Sequence, residues 1–251
     1  MAEVYRARDP LRGRIVALKL APRHARARSE NERALDREAH ALRHLPHPYF
    51  CQLFETGRLE GRRYLILELV SGETLAQRLR KSLLSIPQAL HIGAEIASAL
   101  AVAHRKGFVH GDLKPANIML TRRGVKLLDF GLAEAAIPRP IAGHPRRVIG
   151  TCQYVAPELV RGKPGSPASD VFALGVILFE MLTARRPFEG GSEAGVMLAV
   201  LHHAPPCPSS LRPGIPSPAD RLVKSCLAKN PRGRLSATRL SASLARIAAR
   251  L

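Results

Sequence analysis

The chain has 251 residues, and 46% of them are hydrophobic, enough for one large domain or two tightly joined lobes and too many for a disordered chain. Its formal net charge is +19, but the basic residues, mostly Arg, are spread along the whole length, no block of five like charges occurs, and aromatics are 4% with no Trp. With no basic cluster and little for bases to stack on, nucleic-acid binding is not expected; a compositional bias accounts for the charge, and acidic protein substrates remain compatible with it.

Met1–Arg6 lacks the apolar core of a signal peptide. Ile15–Leu20 is a short β-rich run and predicts a strand. A helical pattern spans about Ser29–Leu45, with Ser29 as its expected N-cap, and Pro46-His47-Pro48 ends it. Two further strands are expected around Phe50–Thr56 and Tyr64–Val70, joined by a turn at Leu59-Glu60-Gly61. Ser71-Gly72 breaks the pattern and divides a β-rich small lobe, residues 1–70, from a helical large lobe, residues 71–251. That is an α+β arrangement. Ile92, Ile96, Leu100 and Ala103 recur at helical spacing, and a hairpin is expected from Ile118–Leu120 and Val125–Leu128. Asp170–Leu182 is apolar nearly all round, as a helix at the centre of a domain would be. It falls short of the run of about 18 apolar residues that spans a bilayer, so no membrane segment is expected. Cys51, Cys152, Cys207 and Cys226 form no CxxC pair, which fits reduced thiols and a cytoplasmic location.

Phosphoryl transfer needs phosphates held, metal ions held and a hydroxyl aimed in line. His110-Gly111-Asp112-Leu113-Lys114-Pro115-Ala116-Asn117 puts a carboxylate, a cation and an amide in one short loop; Asp129-Phe130-Gly131 follows the expected hairpin, and Ala156-Pro157-Glu158 comes later. With these motifs the chain resembles the protein kinase family, specifically the bacterial kinases of eukaryotic type, from Met1 to about Leu240. Several ordered motifs at compatible spacings make the resemblance more specific than any one of them. It implies the two-lobed protein-kinase-like fold, with a single main helix in the small lobe. It also implies transfer of the γ-phosphate of ATP to Ser or Thr hydroxyls of proteins, with Mg²⁺, or alternatively Mn²⁺.

By the same resemblance, Asp112 accepts or orients the proton of the substrate hydroxyl, Lys114 contacts the γ-phosphate, and Asn117 and Asp129 hold the metal. Lys19 reaches the α- and β-phosphates from a strand and pairs with Glu38. Ala17 and Val4 cover the adenine, Met119 forms its floor, Leu67 is the gatekeeper, and the backbone of Glu68 and Val70 hydrogen-bonds the base. Leu53, Leu42, Phe130 and His110 form an apolar stack, with His110 a packed structural histidine. Thr151, in Gly150-Thr151-x-x-Tyr154, bridges Asp112 and Lys114 in a substrate-docking segment; Asp170 binds backbone amides of the catalytic loop; Glu158 pairs with Arg234.

The family has a glycine-rich loop, G-x-G-x-x-G-x-V, over the phosphates. Met1-Ala2-Glu3-Val4 aligns only with its end, and Ala2 replaces the last glycine. A late start or truncation is expected rather than a degenerate kinase, because Lys19, Asp112, Asn117 and Asp129 are all kept. The alternative is a pseudokinase acting as a binding or scaffold module. Gly111 stands where most of the family has Arg, and no Ser, Thr or Tyr occurs from Leu132 to Ile149 to carry a phosphate. His40, His44 and His47 have a spacing that could suit a metal, but no Cys or carboxylate completes the set and no site is expected there. Arg146-Arg147 reads equally as a solvated pair or as a reader of acidic substrate residues. The sequence carries no signal of oligomeric state.

Overall fold

The computed structural model describes residues 2–23, 25–130 and 152–251, with only the backbone described over 25–30. Strands β1 (Glu3–Asp9), β2 (Arg14–Leu20), β3 (Leu53–Leu59) and β4 (Arg62–Glu68) form an antiparallel sheet in the order β1-β2-β4-β3, and helix α1 (Ala25–His44) falls between β2 and β3 in sequence. Side chains alternate across a strand, so residues directly opposite share a face. Val4 lies opposite Lys19, Lys19 opposite Leu65, and Ala17 opposite Leu67. One face therefore carries Val4, Ala17, Lys19 and Leu67, and it is the face from which Lys19 reaches α1.

The second lobe follows with β5 (Glu73–Thr74), α2 (Leu75–Lys81), α3 (Ile86–Arg105), β6 (Ile118–Thr121), β7 (Gly124–Leu127), α4 (Pro157–Val160), α5 (Pro167–Thr183), α6 (Glu193–His202), α7 (Pro208–Leu211), α8 (Ser217–Cys226) and α9 (Ala237–Ala248). Thr74 and Ser85 cap α2 and α3 through reciprocal hydrogen bonds with Gln77 and Gln88, which satisfies amides that the first helical turn leaves open. Every residue of α5 from Ser169 to Phe179 is buried, as its all-round apolar sequence predicts. Close approach of α8 to it depends on Gly175, where a Cβ would sit 2.6 Å from Cys226 Cβ.

Some boundaries differ from expectation. Helix α1 already runs at Ser29, which therefore lies inside it and does not cap it. The strands expected at Phe50–Thr56 and Tyr64–Val70 are displaced toward their turn. Glu60 (φ 50°) and Gly61 (φ 73°) are both left-handed, giving a two-residue connection that lets pairing run to Leu59 and Arg62. Phe50 instead makes an isolated parallel bridge to Leu127 of β7. Among the described residues one helix, α3, is long and apolar enough by length and composition to cross a membrane. Here it is a core helix packed on α9 and α5, with Ile96, Leu100 and Ala103 buried.

Candidate active site

Between the end of α3 and β6 the chain must turn tightly while presenting charged side chains. Asp170, buried near the start of α5, anchors it. Its Oδ2 accepts from the backbone amide of His110 at 2.9 Å, and its Oδ1 from that of Gly111 at 3.0 Å. The expected amide contacts of Asp170 are thus present, and His104 Nε2, 2.8 Å from Oδ2, adds a partner that the sequence did not suggest. Gly111 has φ 77°, a left-handed conformation that favours glycine. His110 is fully buried, and burial pushes its pKa down, so the ring stays neutral; Nδ1 accepts from the Asp112 amide at 3.3 Å.

The loop then gathers its polar groups. Lys114 Nζ donates to Asp112 Oδ2 at 2.6 Å, and Asn117 Nδ2 donates to the Asp112 carbonyl at 2.9 Å and to its Oδ2 at 3.1 Å. Both Asn117 contacts use the amide nitrogen. Its amide oxygen is therefore left over as a hard donor atom.

From β2, Lys19 Nζ donates to Glu38 at 2.9 and 2.7 Å and to Asp129 Oδ1 at 2.5 Å. This one lysine joins the β-sheet, α1 and the strand leading out of β7. Asp129 has φ 57°, a strained conformation for a residue other than glycine, and its side chain is 41% exposed, so one carboxylate oxygen faces open space. An amide oxygen on Asn117 and a carboxylate oxygen on Asp129 are the oxygen chemistry a divalent hard cation takes, and the residues fit such a group.

Phe130 locks the strand behind Asp129. Its ring is 4.6 Å from that of His110, and Phe50 meets it edge-on at 5.0 Å. Leu42 is buried and Leu53 half-buried in the same apolar core; Phe50 is the contact that the sequence does not reveal. Of the expected adenine-pocket residues, Ala17 and Leu67 share the Lys19 face, Met119 is buried on β6, and Val4 is 64% exposed. Val70 lies just beyond β4, where the chain leaves the sheet. Glu68 ends β4, and its carbonyl accepts only a long contact from Cys51 Sγ, 3.9 Å, among the described residues, which leaves room for a further donor. Burial pushes the Cys51 thiol up to about 12, so it stays protonated.

A second unforeseen group is Lys126 on β7. Its Nζ donates to Glu68 Oε2 at 2.6 Å and to the Phe50 carbonyl at 3.3 Å, while the Gln52 amide donates to Glu68 Oε2 at 3.2 Å. The clamp ties the end of β4 to β7, which ends two residues before Asp129. His40 and His44 stack on each other at 4.4 Å and lie beside Phe108, and among the described residues no group of three or more His, Cys, Asp or Glu could hold a metal. Thr151 and Arg146-Arg147 lie outside the described residues. Beyond them, Glu158 and Arg234 form the expected buried pair, fork to fork at 2.6 and 2.8 Å, with Ser169 Oγ donating to Glu158 at 2.7 Å.

A sequence profile described as the protein kinase domain matches residues 1–244. The chain belongs to the protein kinase family. It is 35% identical over 233 residues to the serine/threonine-protein kinase PrkC of Bacillus subtilis, an overlap of 92% of this chain and 36% of that protein. To the serine/threonine-protein kinase PknA of Mycobacterium tuberculosis it is 37% identical over 238 residues, 92% of this chain and 54% of that protein. To the serine/threonine-protein kinase PknE of Mycobacterium bovis it is 35% identical over 236 residues, 93% of this chain and 41% of that protein. The chain thus spans about half or less of the curated relatives it matches.

Kinase geometry depends on the charge of Glu38. Burial pushes its carboxyl up to about 7, and Asp129 adds to the shift, against the pull of Lys19. A carboxyl raised in this way stabilises the fold fully below its ordinary 4.5 and loses that contribution as pH rises through about 7. The ion pair has the opposite dependence, because Glu38 holds Lys19 only when ionised. Between pH 6 and pH 8 the ionised fraction grows about tenfold. Phosphoryl transfer is expected to rise by about that factor over the same range, with Glu38→Gln low and flat; a pH–rate profile checks it.

Proposed function

We propose that this chain transfers the γ-phosphoryl group of ATP to Ser and Thr hydroxyls of proteins. The observation that carries the reading is that Lys19, Glu38 and Asp129 meet in one cluster and Asp112, Lys114 and Asn117 in another, with the Leu128 amide, next to Asp129, donating to the Asn117 carbonyl at 2.9 Å. The substrate hydroxyl would lie against Asp112, which orients its oxygen and takes its proton. As the new oxygen–phosphorus bond forms, the bond from the γ-phosphorus to the bridging oxygen breaks, and ADP leaves. Lys114, paired with Asp112, would swing to the γ-phosphate as charge shifts. Lys19 would hold the α- and β-phosphates, fixed in direction by Glu38. Ala17, Val4, Leu67 and Met119 would enclose the adenine, with the backbone of Glu68 and Val70 as its hydrogen-bonding edge. Asn117 and Asp129 would hold a divalent ion, best matched by Mg²⁺, which when bound neutralises phosphate charge. Thr151 is assigned its bridging place between Asp112 and Lys114 from the sequence motif alone.

The test is incubation of the purified chain with Mg²⁺, ATP and a generic protein substrate, with the product mapped by mass spectrometry. Phosphoserine and phosphothreonine are expected; phosphotyrosine alone, or no transfer from a folded chain, would overturn the reading.

Activity is expected to be independent of phosphorylation in the activation segment. In many kinases a phosphate there pairs with an Arg beside the catalytic Asp. Here that position is Gly111, held left-handed against Asp170, and the sequence from Leu132 to Ile149 has no hydroxyl to modify. Phosphatase treatment should therefore leave the peptide-phosphorylation rate within about twofold, whereas a large loss restored by autophosphorylation within this segment would contradict it.

A further inference from the structure

Beside the segment that leads from Thr151 into α4 lies a concavity of about 480 Å³. Gln153, Glu180, Arg185, Arg186, Phe188 and Glu189 line it, and none of them takes part in the chemistry above. Its floor is Phe188, and its rim is charged. The distribution of those charges decides what the concavity can hold.

Glu180, on α5, looks at first like a receptor for a basic side chain. Both of its oxygens are taken internally. Oε2 accepts the Tyr154 hydroxyl at 2.7 Å, and Oε1 faces Arg186 Nε at 3.7 Å. Burial, and the Glu180 carboxylate beside it, push the Tyr154 hydroxyl up, so it stays a donor. Glu180 is also only 17% exposed. Three carbonyls near the end of α5 are likewise taken. The Ala184 amide donates to Glu180 O, Thr183 Oγ1 to Phe179 O, and Arg212 to Leu182 O.

The two arginines are differently placed. Arg186 lies over the Tyr154 ring at 5.9 Å with its Nε buried against Glu180 Oε1 at 3.7 Å, while its side chain as a whole is 39% exposed. Arg185 is exposed and makes no ion pair among the described residues, while its backbone is pinned through Thr183 Oγ1 at 3.2 Å. Glu189 is the one lining carboxylate left without an ion pair among the described residues, and it partly offsets Arg185. The formal charge of +19 over the chain tips the balance, because the long-range field then favours an anion.

Resting on the kinase reading, we infer that this concavity recognises acidic residues flanking the phosphoacceptor of the protein substrate, through the guanidinium groups of Arg185 and Arg186. A planar guanidinium matches a carboxylate fork to fork, and Arg186 is held in place by the Glu180–Tyr154 pair so that little side-chain freedom is lost on binding.

The test uses a Ser-containing peptide in three forms, with Glu, Gln or Lys flanking the acceptor. The ratio of kcat/KM for the Glu form to that for the Gln form is expected to be about tenfold in the wild type. It should fall to about one in Arg185→Ala/Arg186→Ala, be retained in Arg186→Lys to about half its size, and rise in Glu189→Gln. High salt should compress it. Equal rates on all three forms, a preference for Lys, or an undiminished ratio in the double variant would overturn the inference. Failure of the kinase reading shows separately, as no transfer to any of the three forms. Fluorescence anisotropy of the labelled peptides then still decides the matter: tighter binding of the Glu form that depends on Arg185 and Arg186 upholds the inference, and equal binding overturns it.

Discussion

Asp129→Asn is expected to lower phosphoryl transfer by at least about 10³-fold while leaving the fold intact. The Asp129 side chain is 41% exposed, so the change leaves no buried polar atom stranded. Asn tolerates the left-handed backbone that Asp129 adopts at φ 57°, and its amide oxygen can still accept from Lys19. What disappears is the negative charge on the open side of the carboxylate. The loss should therefore show in the metal-dependent part of nucleotide binding. Thermal shift with ATP, with and without Mg²⁺, measures it. An unchanged Mg²⁺-dependent shift in the variant would remove Asp129 from the metal site.

Arg234→Met is expected to destabilise the large lobe by about 3–5 kcal/mol, because it strands the buried Glu158 carboxylate. Arg234 also donates to the carbonyls of Ala228 and Ala168, at 2.8 Å each, so the change unpins the segment after α8 from the start of α5. Burial works against the Glu158 charge, but Arg234 and Ser169 hold its carboxyl below the usual range. A group depressed in this way contributes stability above its ordinary 4.5 and loses it as pH falls through the lower folded value. The deficit of Arg234→Met relative to wild type should accordingly be largest near neutral pH and shrink in acid. Urea denaturation at pH 7 and pH 4 checks both size and sign, and Glu158→Leu/Arg234→Met should recover part of the loss. A deficit under about 1 kcal/mol at pH 7 would mean the pair is not structurally important.

The parts of the site that are legible in the sequence are those whose members lie close along the chain. Asp112, Lys114 and Asn117 sit in one loop, so their residue types and spacing identify the cluster on their own. Lys19, Glu38 and Asp129 come together in sequence only through the family resemblance, since Lys19 and Asp129 are 110 residues apart. The Lys126–Glu68 clamp and the His104–Asp170 contact, across 58 and 66 residues, leave no such signal. Lys126 reads locally as a solvated strand residue, and a lone His on an apolar helix reads as core; only the packing of the lobes gives either a partner. The strand boundaries slip for a local reason. The left-handed pair Glu60-Gly61 closes the hairpin in two residues, where hydrophobicity alone centres the strands farther from it.

The most direct measurement is transfer of label from γ-labelled ATP to a Ser/Thr peptide, with wild type and Asp112→Asn side by side at equal, verified folded concentration. The account predicts Mg²⁺-dependent phosphorylation by the wild type and a loss of at least about 10²-fold in the variant. Both proteins should bind ATP equally, because Asp112 contacts Lys114 and Asn117 and in the proposed mechanism would act on the substrate hydroxyl. Equal transfer by the two proteins, or a folded wild type that binds ATP with Mg²⁺ and transfers nothing, would contradict it.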